Sequence, residues 1–144
     1  MSYVRAWIHA VWGTKKREPV LEKSIREKIM MHIVENAKTK GMYIDCINGY
    51  TEHLHCLMLQ NIELSISKHM QLIKGESSFW INKNKLVKGH FEWADEYFAV
   101  SVSEDKLQFV RDYINTQEEH HKKVTFLDEY NKFLKHFGFE KSQG

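Results

Sequence analysis

The sequence predicts an α+β domain of ferredoxin-like βαββαβ order: a four-stranded antiparallel sheet with two helices on one face and an added C-terminal helix lying across the other. Three observations predict it. Extended runs rich in β-branched and aromatic residues alternate with segments of helical period. A short polar connection joins the second and third extended runs as a hairpin, and further amphipathic helices follow the fourth.

Each element has its own signal. Val4 to Trp12 reads as the first strand, and the polar stretch Gly13 to Pro19, holding the chain's single proline, ends it. From Leu21 to Lys40 the residues Ile25, Ile29, Ile33 and Ala37 recur every fourth position, and Gly41 stands where a helix stops. Met42 to Tyr50 and His53 to Gln60 read as two strands joined through Tyr50, Thr51 and Glu52. Ser65 to about Asn82 spaces Ile66, Met70, Ile73 and Ser77 as a second helix, the basic stretch Asn82 to Gly89 links onward, and Phe91 to Val102 reads as the fourth strand. Ser103 is a good N-cap for a third helix running to about His121, with Leu107, Val110 and Ile114 on one stripe and Phe109, Tyr113 and Gln117 on its neighbour. Thr125 to Phe137 is a last amphipathic segment.

The totals bound the class. With 144 residues, 42% of them hydrophobic, the chain suits one domain spanning 1–144 with a core of its own. A net charge of +2 from 21 basic and 19 acidic residues makes any nucleic-acid surface a local patch. Cys46 and Cys56 match no zinc or disulfide spacing, which suits a reducing cytoplasm, and nothing reads as a signal peptide or membrane span.

The chemistry centres on Glu52-His53-Leu54-His55-Cys56. Strand alternation sends His53 and His55 to the same face, about 6.6 Å apart, where two neutral imidazoles can share a divalent ion. Leu54, Cys56 and Met58 form a second apolar face, so the strand is buried on both sides and its imidazoles need partners. If the third helix crosses that face, Gln117 supplies a third ligand, and an all-neutral His2Gln set suits Mg2+ or Mn2+. Tyr113, one turn before Gln117, is then the candidate nucleophile. A phenol leaves more readily than an alkoxide, so a phosphotyrosine link is reversible without a nucleotide cofactor.

His53-Leu54-His55, then Phe91 to Ser103, Val110-Arg111-Asp112-Tyr113-Ile114 and Gln117-Glu118-Glu119-His120-His121, together resemble the single-tyrosine HUH transposases of bacterial insertion sequences and their REP-associated, domesticated relatives. Thr14 to Leu21 also looks like that family's first loop. The resemblance implies a tyrosine that cuts single-stranded DNA, stays on the 5′ phosphate and frees a 3′ hydroxyl. It assigns Tyr113 to that role and His53, His55 and Gln117 to the metal. It also implies hairpin-bearing DNA as partner, a homodimer and a cytoplasmic protein working at the nucleoid; the chain stops soon after its last helix, so a longer C-terminal DNA-binding extension is not expected. Cys56, where a small or aliphatic residue is expected, should point away from the metal.

Plainer readings stand beside these. His120 and His121 suit a helix C-terminus, where protonated imidazole complements the dipole, a reading preferred over contacts to DNA or substrate, and lie outside the expected metal set. His9 reads as a strand residue with a near-site position open to it. Lys15, Lys16 and Arg17, with Lys83, Lys85 and Lys88, are either solvated loops or, flanked by Trp12 and Trp80, tracks for a DNA backbone. Two rival functions remain: a hairpin-DNA-binding protein of the same fold without turnover, and a metal-dependent hydrolase using His53 and His55 to activate water.

Overall fold

Period-two alternation sorts the central strands into two faces, and the structure, a computed structural model that describes residues 2–139, follows that sorting closely. The elements run β1 (Trp7–Gly13), α1 (Lys23–Thr39), β2 (Tyr43–Gly49), β3 (His53–Leu59), α2 (Ile66–Lys83), β4 (Phe98–Val102), α3 (Leu107–Asn115), α4 (Gln117–His121) and α5 (Phe126–His136). The sheet has the order β2-β3-β1-β4 with every neighbour antiparallel. This is the expected α+β, ferredoxin-like arrangement.

Ile8, Ala10 and Trp12 of β1 and Leu54, Cys56 and Met58 of β3 face α1 and α2, where they join Ile29, Ile33, Met70, Ile73 and Ile81 in the main core. Cys56 therefore points away from the imidazoles, as strand parity requires. The opposite parity sends Trp7 and Leu57 against Leu107 and Ile114 of α3, and Val11 against Phe126 and Tyr130 of α5. His9, His53 and His55 lie between these two small clusters, so the second face is apolar at its margins and polar at its centre.

The structure departs from the sequence pattern at two places. Phe91 to Tyr97 is a loop, and β4 is only Phe98–Val102. Its aromatic residues imitate a strand because they are core residues of another kind: Phe91 N donates to Asn82 Oδ1 at 2.7 Å, and Trp93 Nε1 donates to Ser77 Oγ at 2.9 Å, both on α2. Second, the single helix expected from Ser103 to His121 is a 3-10 turn followed by α3 and α4, broken at Thr116. Thr116 Oγ1 bonds back to the carbonyl of Asp112 at 2.9 Å, the kind of side-chain competition that interrupts a helix. Ser103 accordingly turns its hydroxyl to Asp105 Oδ1 at 2.6 Å and caps no backbone amide.

α1, α3 and α4 all contact β2. The tie between layers is Arg26, 3% exposed, whose guanidinium donates to the Leu21 carbonyl at 2.8 Å and to Glu118 Oε1 at 2.7 Å. It fastens α4, on one face of the sheet, to α1 on the other.

The β2–β3 hairpin leaves no room at Gly49, where a Cβ would sit 2.1 Å from the carbonyl oxygen of His53 and 2.9 Å from the Leu54 Cα. Gly49→Ala should cost about 1–3 kcal/mol, because the closest atom is backbone and the hairpin itself must shift. Gly75, exposed on α2 with no atom within 4 Å of its would-be Cβ, should do the reverse: Gly75→Ala should gain roughly 0.5–1 kcal/mol from helix propensity. Urea midpoints of the two variants check both signs, and equal shifts would contradict this packing.

Candidate active site

β3 carries His53 and His55 with no exposed surface, and each ring is held from behind at Nδ1. His53 Nδ1 lies 2.7 Å from Glu52 Oε1, and His55 Nδ1 lies 2.9 Å from His9 Nε2 on β1. Such rear contacts aim both Nε2 atoms at the centre of the face. His9 is thus a support of the site, the role its parity left open.

α3 and α4 bring the other two expected residues to the same place. Gln117 is fully buried, with its Oε1 3.0 Å from His53 Nε2, and the Tyr113 ring centroid is 5.7 Å from that of His55. Tyr113 and Gln117 straddle the break at Thr116, yet the Gln117 amide nitrogen still reaches the Tyr113 carbonyl at 3.4 Å.

Sequence reasoning missed the centre of the cluster, Glu129 of α5. Its carboxylate is 2% exposed and meets His55 Nε2 and His121 Nε2 at 3.1 Å each, His53 Nε2 at 3.4 Å and His120 Nε2 at 3.2 Å. It also accepts a hydrogen bond from the Tyr113 hydroxyl and one of 3.3 Å from Gln117 Nε2. A signal was present: Glu129 sits three residues after Phe126 and four before Phe133, inside the stripe that α5 buries. Two expectations are corrected here. The donor set is not all neutral, since a carboxylate lies within it, and His120 and His121 are not merely dipole partners, because α4 turns both toward Glu129.

The electrostatics follow from burial. His9 is pushed down to about 3, by burial first and by His55 second, and His55 down to about 4, burial outweighing the hydrogen bond and charge of Glu129. Burial alone would raise the Glu129 carboxyl, but the hydrogen bonds from His121, His55 and Tyr113 hold it far below the usual carboxylate range. Burial, and then Glu129, push the Tyr113 phenol well above its ordinary value.

The donor chemistry fits a divalent cation. Glu52 can only accept, so a neutral His53 carries its proton on Nδ1 and presents a lone pair at Nε2. That lone pair faces two further acceptors, Gln117 Oε1 and Glu129 Oε1. Flipping the amide does not help, because Gln117 Nε2 already faces two oxygens. Acceptors converging on one point call for a cation there, and one ligand atom from each of His53, His55 and Glu129 lies within 4.8 Å of the others.

The basic residues fall into two groups. Lys15–Arg17 form an exposed 3-10 turn after β1, with positive φ at Lys16 and Arg17. Lys15 and Lys16 line a cavity of about 310 Å³ with Lys88 and His90, and Lys15 pairs with Glu92 at 2.7 Å. Lys83 and Lys85 are exposed at the end of α2 and do not line that cavity. Trp12 is fully buried and offers no stacking surface, while Trp80 is half-buried with its ring stacked on His32 at 4.0 Å.

Two buried neutral imidazoles make the fold acid-sensitive. His9 and His55 take a proton near pH 6.5 when unfolded but only near 3 and 4 when folded, so their contribution is complete above about 6.5 and declines as pH falls toward 4. The loss amounts to about 1.4 kcal/mol per group per unit. Melting temperatures of chelator-treated protein should level off above about pH 6.5 and fall from there to about pH 4.5, and a flat profile would contradict the burial of these rings.

Residues 2–117 match the family profile described as "Transposase IS200 like". No curated protein matches the chain. Among solved structures, a protein provisionally described as a transposase from Deinococcus radiodurans R1 superposes with a TM-score of 0.65 at 22% identity, covering 81% of this chain and 95% of its own. A REP-associated tyrosine transposase bound to a REP hairpin gives a TM-score of 0.64 at 16% identity, covering 86% of this chain and 73% of its own. These two likenesses bear on the fold. The match over most of the chain's length carries the family: this protein belongs to the IS200-like transposases.

Proposed function

We propose that the protein is a metal-dependent transposase that cuts and rejoins single-stranded DNA at hairpin-marked ends through a 5′-phosphotyrosine intermediate. The observation that carries this reading is the meeting of the Tyr113 hydroxyl with His53, His55 and Gln117 around one carboxylate. Tyr113 is the nucleophile. Its oxygen forms a bond to phosphorus as the bond from phosphorus to the 3′ oxygen breaks, leaving the 5′ phosphate on the protein and a 3′ hydroxyl on the DNA; the reverse step rejoins a strand.

His53, His55, Gln117 and Glu129 would hold Mg2+ or Mn2+, whose charge polarises the phosphodiester and offsets the pull of Glu129 on the phenol. In the structure described here, that carboxylate keeps Tyr113 protonated and oriented, with its ring set edge-on to His55. His53, His55 and Gln117 are closed to solvent, whereas Tyr113 and His120 are half-buried, so the strand approaches from their side. Lys15, Lys16 and Arg17, with Lys83 and Lys85, are the candidate contacts to the hairpin backbone, the first group favoured by its cavity. The structural neighbour bound to a hairpin supports a hairpin partner. A homodimer follows from family kinship. Among the described residues no helix is long and apolar enough to cross a membrane.

The test is a labelled single strand bearing a hairpin, incubated with Mn2+ and run on a denaturing gel. A covalent adduct should form with the natural chain and vanish with Tyr113→Phe or with chelator. An adduct persisting in Tyr113→Phe refutes the nucleophile; cleavage with no adduct favours the water-activating hydrolase, and a gel shift without cleavage favours the binding protein without turnover. Separately, Glu52→Gln should weaken Mn2+ binding by roughly 10- to 100-fold in calorimetry, because it loosens the hold on His53. Unchanged affinity would remove His53 from the ligand set.

A further inference from the structure

α3 carries a second aromatic ring on the stripe of Tyr113. Phe109 lies four residues earlier, one turn along the same face, and its ring is 72% exposed while Leu107 and Ile114 turn into the sheet. A lone wet phenyl is common on a protein surface. The surroundings of this one are unusual. Beside it runs a groove of about 320 Å³ between α3, β4 and the end of α5, lined by His9, Val100, Val102, Lys106, Phe109 and Phe137.

The groove abuts the candidate active site through His9. His9 forms part of its wall, lies 2.9 Å from His55 Nδ1, and holds its ring 6.4 Å from that of Tyr113. A second exposed ring, Phe137 at 46%, stands at the α5 end, and the exposed Lys106 sits at the rim. β4 is an edge strand that, among the described residues, pairs with β1 alone.

We propose that the groove is a subsite for an unstacked base of the single strand, the one adjoining the phosphate at Tyr113, with Phe109 and Phe137 as stacking faces and Lys106 on the backbone. This inference rests on the reading of Tyr113 given above. A base drawn out of its stack needs a π-face and apolar walls, and its phosphate needs a cation. The groove offers both, with Phe109 one helical turn from the phenol and Lys106 about two turns away. Stacking on a phenyl face tolerates any base, so the subsite places the strand without reading its sequence.

The full chain is titrated with a fluorescent oligothymidylate, as the natural protein and as Phe109→Ala and Phe109→Tyr, and crosslinked through a photoreactive thymidine analogue in the same strand. Phe109→Ala should weaken binding by roughly 5- to 150-fold, Phe109→Tyr should restore it, and crosslinks should map to Phe109 or Phe137. Equal affinity for Phe109→Ala, or crosslinks confined to the Lys15–Arg17 turn, overturns the subsite. So does a Phe109→Ala protein that loses a dimer in sedimentation while binding DNA normally, which would give the groove to a second copy of the chain. The adduct assay on the same preparations separates the two readings. An adduct with unchanged Phe109→Ala affinity removes the subsite alone, whereas weakened affinity with no adduct in the natural protein keeps the groove as a single-strand surface and removes Tyr113 as nucleophile.

Discussion

A single buried carboxylate organises the second face of the sheet. Taking an ionised carboxylate out of water is costly unless donors surround it, and Glu129 has them from three directions: His55 below on β3, Tyr113 from α3, and His121 from α4. α5 delivers the charge and is itself held by Phe126, which stacks on His53 at 4.1 Å with the rings nearly parallel. Three helices and one strand therefore meet at one charge, and β1 reaches it at one remove through His9 on His55. Its requirement for partners explains why so many polar side chains are buried without a polar cavity around them.

The two faces of the sheet divide the labour. Where α1 and α2 cover it, the contacts are mainly apolar, and β1 and β3 act as a rigid floor. On the other face the same two strands present His9, His53 and His55, rings stiffly mounted because each strand is gripped from behind. Placement of a donor set on central strands rather than loops keeps the imidazoles oriented without help from a ligand.

Much of this was legible in the sequence, and the parts that were not share a cause. His53 and His55 followed from the two-residue period of a strand, and Tyr113 with Gln117 from a helical turn; both are local rules. Glu129 and His121 depend on how α4 and α5 fold back over the sheet, which no local period reports, although an acid within the apolar stripe of α5 was a usable sign. The break at Thr116 escaped because Thr116 fits a helix by pattern and disrupts it through its own hydroxyl. β4 was overextended because Phe91 and Trp93 have strand-like composition but serve as plugs against α2.

The tie made by Arg26 has a kinetic side. α4 spans only five residues, far below the length at which a helix persists in water by itself. Its order comes from outside, through Glu118 on a guanidinium rooted in the opposite layer and through Gln117 and His121 on the Glu129 cluster. Opening α4, and with it the exchange of its amide hydrogens, therefore requires both the grip of α1 on Glu118 and that of Glu129 on His121 to break, so the protection of this short helix reports on the two layers together.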